Sequence, residues 1–161
     1  MAKKKAKIKA SPILAAVAAL FALVAILVMF APAINATGDT YTGFEITFGA
    51  KRSAVVATAT VLKFSFGNFV PFILAIAGLV LALLGILGKG GKLVSFIAAG
   101  LLVAAGVLFF CALPMTMPNV DSNDAADLIR KGYELAAGPI VSGIFSILAG
   151  AAMLFRVFVK K

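Results

Sequence analysis

The sequence predicts an all-α membrane protein: a four-transmembrane-helix bundle with a small extracellular β-hairpin or sheet between helices 1 and 2. Three observations support this fold class: the composition, four long apolar runs, and a strand-like pattern in the first long connection. Of the 161 residues, 63% are hydrophobic, far above the roughly 45–50% of soluble domains. We therefore expect residues 1–161 to form a single integral membrane domain.

Four apolar runs have the length of a membrane-spanning helix. They cover residues of about 12–33, 69–88, 93–115 and 139–159. Because an α-helix rises about 1.5 Å per residue, roughly 20 residues cross the hydrocarbon core. Among the charged residue types, the runs contain only Arg156. Its place near the end of the fourth run predicts that it snorkels into the headgroups.

The first run also resembles the start of a cleaved signal peptide. A lysine-rich segment precedes it, and Ala31-Pro32-Ala33 offers a small-residue cleavage site. The run is nevertheless longer than the roughly 7–15 apolar residues of a signal peptide, so we expect it to be retained as a span.

The distribution of charge predicts the orientation. Ten of the 15 Lys and Arg lie in the N-terminal segment, the loop after the second span and the C-terminal tail. Since these segments share one side of a four-span protein, both termini are predicted to be cytoplasmic, in a plasma or bacterial cytoplasmic membrane, with outside loops at 34–68 and 116–138. Short basic flanks favour the lipid bilayer and its anionic headgroups at the cytoplasmic face as partners, and argue against nucleic acid.

The first outside loop alternates apolar and polar residues over positions 41–48, and a second β-branched run follows Ser53. Period-2 alternation is typical of a strand, so the simplest interpretation is an antiparallel hairpin with its turn at 49–53. In that register Phe48, Ile46 and Phe44 face positions 54, 56 and 58. The candidate residues for contact outside the membrane are therefore Phe44, Ile46, Phe48, Lys51 and Arg52, the last two projecting from the tip into water.

The second outside loop predicts a short helix capped by Asp121, Ser122 or Asn123. A cation site at Asp121, Asn123 and Asp127 is the alternative, but these residues lack the glycine and the bidentate acid of an EF-hand loop.

Small residues recur at helical spacing within the spans. Such stripes let helix backbones approach closely. They predict packing inside the bundle or, alternatively, a face that meets another subunit. The candidate helix-packing or interface residues are Ser142, Ser146, Gly150, Gly78 and Gly85.

Catalytic chemistry has few candidate residues. There is no histidine, and no base or carboxylate lies at the depth of the serines in the spans. The single cysteine, Cys111, excludes an intramolecular disulfide. The glycine-rich segment at 88–92 joins two spans and lacks the strand and Ser or Thr of a P-loop. We expect no enzyme activity, no cofactor and no metal.

Four spans, cytoplasmic termini, a larger strand-bearing first outside loop and a smaller second one give the chain a layout that resembles the claudin-like tetraspan proteins. The resemblance covers the whole chain but is architectural. The Gly-Leu-Trp run and two cysteines of the claudin signature are missing, so no residue roles transfer. The resemblance implies lateral assembly or partner binding, with a small sheet on the outer surface.

The sequence thus favours a non-enzymatic membrane scaffold or accessory subunit, in a homo-oligomer or a larger membrane complex. The alternative is a small channel or carrier; without a polar stripe in the spans, its pore would be apolar.

Overall fold

The computed structural model describes residues 10–36, 38–53, 58–89 and 91–159. The N-terminal lysines, Lys160 and Lys161 lie outside these ranges. The helices are α1 (Ala10–Leu27), which continues as a 3₁₀ turn (Val28–Phe30), α2 (Gly43–Phe48), α3 (Phe66–Ile86), α4 (Lys92–Phe110), α5 (Ala112–Met115), α6 (Asn123–Arg130) and α7 (Ala137–Phe158). Four of them, α1, α3, α4 and α7, are long and apolar enough to cross a membrane, which confirms the predicted multi-pass helical architecture.

The four long helices form a ring in which α1 lies beside α3, α3 beside α4, α4 beside α7, and α7 beside α1. The middle of the bundle is packed mainly with alanine, together with Leu102 and Met153, which are fully buried. Alanine at the contacts lets the backbones approach closely, as helices in lipid require for stable packing.

The strands lie at one end of the bundle, which we call the cap end; the opposite end, where α1 begins and α7 ends, is the terminal end. They are β1 (Pro32–Ala36), β2 (Asp39–Thr42), β3 (Ala50–Ser53), β4 (Thr58–Leu62) and β5 (Glu134–Leu135). One antiparallel sheet has the order β2-β1-β5, and β3 pairs with β4 in a second. The predicted small antiparallel sheet is confirmed, and β5 shows that the second loop contributes to it.

The predicted strand over residues 41–48 is wrong for most of its length, because Gly43–Phe48 is helix α2. A capping box begins this helix: the Thr42 side chain accepts a hydrogen bond from the Glu45 backbone N–H, and the Glu45 carboxylate accepts one from the Thr42 N–H. Gly49 ends it with φ +100°, a conformation that favours glycine. The alternation of Phe44 and Phe48 is equally an i, i+4 helical spacing.

The predicted turn is also displaced. Residues 50–53 form β3, which pairs with β4 and joins Lys51 to Thr60 and Arg52 to Ala59. The predicted partner positions 54 and 56 lie outside the described residues.

The helix predicted in the second loop is present as α6. Of the three candidate caps, Ser122 is the one used, since its hydroxyl accepts a hydrogen bond from the Ala125 N–H.

Candidate functional site

The three glycines predicted for helix packing lie at close contacts inside the bundle. A Cβ built on Gly78 would lie 2.5 Å from Cγ of Leu102, and one on Gly150 would lie 2.7 Å from Cγ2 of Val103. A Cβ on Gly85 would lie 3.1 Å from Nη1 of Arg156. The distances at Gly78 and Gly150 are shorter than real Cβ contacts, so a side chain at either position would require a neighbour to move, and the distance at Gly85 is tight.

The two serines of the same set are also buried. The Ser142 hydroxyl donates to the backbone carbonyl of Ala25, at 2.9 Å, which ties α7 to α1. Ser146 lies one turn further along α7 and is fully buried. All five residues are buried within the chain, where they pack the long helices together, and Gly150 also lines a groove that is open at the side of the bundle.

Arg156 is buried at the terminal end and contacts the other three long helices. Its Nε donates to the carbonyl and hydroxyl oxygens of Ser11 on α1, both at 3.1 Å, and its Nη2 donates to the Gly85 carbonyl on α3 at 3.0 Å. Its Nη1 donates to the Ser95 hydroxyl on α4. The expectation that Arg156 snorkels into headgroups is therefore wrong: the oxygens that neighbouring helices supply draw the guanidinium inward.

The residues predicted for contact outside the membrane divide into two groups. Phe44 and Phe48 on α2 are each 44% exposed, and Lys51 is exposed. Ile46, only 2% exposed, packs into the cap instead. Arg52 does not project from a tip either, because it is held against the rest of the cap.

Arg52 connects the β3–β4 hairpin to α2 and β2. Its Nη1 lies 2.7 Å from Oε1 of Glu45, its Nε lies 3.8 Å from the Asp39 carboxylate, and its guanidinium lies 4.7 Å from the centre of the Tyr41 ring. These charge and cation–π contacts join elements that the chain separates by about ten residues.

Glu45 is the titratable centre of this cluster. Partial burial raises the pKa of its carboxyl, but the hydrogen bonds from the Thr42 backbone and from Arg52, together with the positive charge of Arg52, outweigh burial and lower the pKa below its ordinary value. The hydrogen bond to Glu45 in turn raises the pKa of Arg52. Glu45 thus serves both the capping box and the ion pair in its ionised form.

A row of five phenylalanines, here called the Phe surface, runs across the cap end on the side of α1 and α3. Ring centroids are separated by 6.0 Å between Phe30 and Phe44, 4.7 Å between Phe44 and Phe48, 6.3 Å between Phe48 and Phe64, and 5.8 Å between Phe64 and Phe69. Four of the rings, all but Phe69, are between 44% and 66% exposed.

Asn68 forms a buried polar junction beneath α2. Its Nδ2 donates to the Ile46 carbonyl and to the Thr116 hydroxyl, both at 3.3 Å, which links α3 to α2 and to the segment after α5. Its Oδ1 is buried without a partner among the described residues. Asn68 also lines a cavity of about 10 Å³ between the ends of the long helices, the size of about one water molecule.

A groove of about 340 Å³ opens on the side of the bundle between α4 and α7. It lies in the half toward the terminal end and is lined by Phe96, Ala99, Gly100, Val103, Ile147, Gly150, Ala151 and Leu154. Gly100 forms an open part of its floor, since a Cβ there would meet nothing within 4 Å.

Within the part of the chain that the structure describes, no group of three or more His, Cys, Asp or Glu residues could hold a metal ion. The acid of the alternative cation site that lies on α6, Asp127, is instead paired with Arg130. The candidate sites that the structure offers are therefore the Glu45–Arg52 cluster and the Phe surface at the cap end, and the α4/α7 groove on the opposite side of the helix ring.

Sequence reasoning missed the role of Asn68 and the depth of Arg156. A single amide beside an apolar run is a signal that could have identified Asn68, because such a group requires buried partners. Neither residue shows in its sequence neighbourhood which oxygens it contacts, since these lie 22 to 145 positions away.

Comparison with models of protein families, with curated proteins and with solved structures finds no match.

Proposed function

We propose that this protein is a non-enzymatic integral membrane scaffold or accessory subunit that assembles laterally with itself or with a partner complex. The observation that supports this function is the α4/α7 groove. Its floor contains Gly100, Gly150 and Ala151, and its walls include Phe96 and Leu154. A floor of small residues allows the backbone of another helix to approach, which is how helices in lipid gain association energy.

The packing of the interior also favours a function at the surface. The mid-bundle core consists of alanines at close contact with Leu102 and Met153, both fully buried. The cavity at the cap end has room for about one water molecule. A channel or carrier of this chain would have to open an apolar pore through that core, and this makes it the weaker candidate.

The proposed setting is a plasma or bacterial cytoplasmic membrane with the terminal end in the cytoplasm. The excess of Lys and Arg in the segments at that end supports this orientation and contact with anionic lipid headgroups. The layout of four spans with a strand-bearing cap supports the proposed likeness to claudin-like tetraspan proteins.

Native mass after extraction in a mild detergent tests the proposal, together with identification of any protein that co-purifies. We expect either a stable homo-oligomer or a stoichiometric second protein. A clean monomer that transports a solute across liposome membranes would refute the scaffold function and favour the carrier.

A matched pair of variants tests the groove. Gly100→Phe places a large side chain on the open floor, and we expect it to reduce the oligomeric or partner-bound fraction. Ile97→Phe is the control, since Ile97 lies on the same helix, is 46% exposed and does not line the groove. Equal assembly of the two variants would exclude the groove as the contact.

A further inference from the structure

The Phe surface is continuous with the lipid-facing sides of α1 and α3. Phe30 ends the 3₁₀ turn that continues α1, one turn beyond Leu27, which is 56% exposed. Phe69 lies in the first turn of α3, one turn before Ile73, which is 46% exposed. The Phe surface therefore begins at the depth where both spans reach the membrane boundary.

Helix α2 has three sides with different side chains: a buried side, a charged side and an exposed apolar side. Ile46 and Thr47 are buried against the bundle, and the Asn68 amide holds the Ile46 carbonyl from below. The Glu45 carboxylate is turned to Arg52 and Thr42. Phe44 and Phe48, at i, i+4 spacing, occupy the remaining side, which carries no charged group of α2.

Exposed apolar rings of this extent would be unfavourable in water. The same rings are favourable where headgroups meet acyl chains, because a helix with one apolar side gains by lying in the plane of that boundary. Continuity with the two spans identifies the occupant as lipid, since the bilayer that covers Leu27 and Ile73 reaches the Phe surface without a break.

We propose that α2 is an interfacial helix that inserts Phe44 and Phe48 into the outer leaflet and so anchors the cap to the bilayer on the α1/α3 side. In this proposal, lipid molecules contact Phe44 and Phe48 directly. The anchor is independent of lateral assembly, because the α4/α7 groove lies on the opposite side of the helix ring.

Tryptophan fluorescence with brominated lipids measures this insertion directly. The chain contains no tryptophan, so Phe44→Trp and Phe48→Trp each introduce a single emitter with a conservative change of ring. Each full-length variant is reconstituted into phosphatidylcholine vesicles whose acyl chains carry bromine near the carbonyl end or near the methyl end. Phe64→Trp provides a third position in case one variant fails to fold.

Two reference variants calibrate the depth. Leu20→Trp lies within α1 at a 58% exposed position and should be quenched most by bromine near the methyl end. Lys51→Trp lies at an exposed position of β3 and should be quenched by aqueous iodide alone.

We expect Phe44→Trp and Phe48→Trp to be quenched by bromine near the carbonyl end and to be shielded from iodide. Quenching by iodide without quenching by lipid would overturn the proposal by placing α2 in water. Protection from both quenchers would also overturn it, since another protein or a second copy would then cover the Phe surface. Assembly through the α4/α7 groove would leave both readouts unchanged, because the groove lies on the other side of the helix ring.

Discussion

Replacement of Gly78 by alanine is the most direct test of the helix packing. The added Cβ would lie 2.5 Å from Cγ and 2.7 Å from Cδ2 of Leu102. Leu102 is fully buried, so either its side chain leaves its preferred rotamer or α3 and α4 separate. Inserting a methyl group into a packed core costs about 1–3 kcal/mol.

Part of this cost is offset because alanine is a better helix former than glycine, by about 0.5–1 kcal/mol. We therefore expect Gly78→Ala to lower the free energy of unfolding by about 0.5–2 kcal/mol. At about 1.4 kcal/mol for each tenfold change, the unfolding equilibrium constant rises roughly 2- to 30-fold.

Gly100→Ala is the matched control, because Gly100 is also a glycine inside a long helix but has nothing within 4 Å of the added Cβ. It should be neutral or stabilising by up to about 1 kcal/mol. Single-molecule forced unfolding in bicelles measures both variants as monomers. Equal unfolding free energies for the two variants would refute the inference that Gly78 is a close-contact position.

Three further predictions concern polar contacts. The folded pKa of Glu45 is lowered from its ordinary value of about 4.5, so ionised Glu45 stabilises the cap above that pH, and this stabilisation is lost as the pH falls through the lowered pKa. Hydrogen exchange of α2, corrected for intrinsic rates, should become faster as the stabilisation is lost. Glu45→Gln should abolish this pH dependence. Asn68→Ala should lower the free energy of unfolding by about 1–3 kcal/mol, because the buried oxygens of Ile46 and Thr116 lose their hydrogen-bond donor. Asn119→Ala, which removes an exposed hydrogen bond to Thr60, should lower it less. Equal unfolding free energies for the two variants would contradict the burial of the Asn68 hydrogen bonds. Arg156→Lys should destabilise by on the order of 1–3 kcal/mol, since an ammonium cannot reproduce the planar fork that contacts three helices; unchanged forced unfolding would show that those contacts contribute nothing.

The four spans were predictable because each segment that crosses the hydrocarbon core must by itself be apolar and long enough to do so. A run of about 20 apolar residues meets that requirement whatever its neighbours are. The cap of α6 was predictable for a similar reason, since Ser122 bonds within its own turn. The glycines of the spans indicated close packing, but only the assembled bundle shows that Gly78 faces Leu102 while Gly100 faces an open groove.

The segment 43–48 shows where sequence reasoning was insufficient. Its alternation fits a strand and its Phe44–Phe48 spacing fits a helix, and a pattern of this length does not distinguish them. The capping box between Thr42 and Glu45 was present in the sequence, yet the contacts that hold α2 come from Arg52 and Asn68. Those contacts exist only once the cap and the bundle are assembled.

By itself, the sequence determined that the chain has four helices long and apolar enough to cross a membrane, with most of its cations in the segments outside them, because hydropathy and charge act on each segment locally. The tertiary structure alone decided that Arg156 points inward, that α2 is a helix with exposed rings, and that small residues are either buried or line a groove. The physical reason is that these outcomes depend on oxygens, rings and backbone surfaces from distant parts of the chain, which become neighbours only when the helices pack.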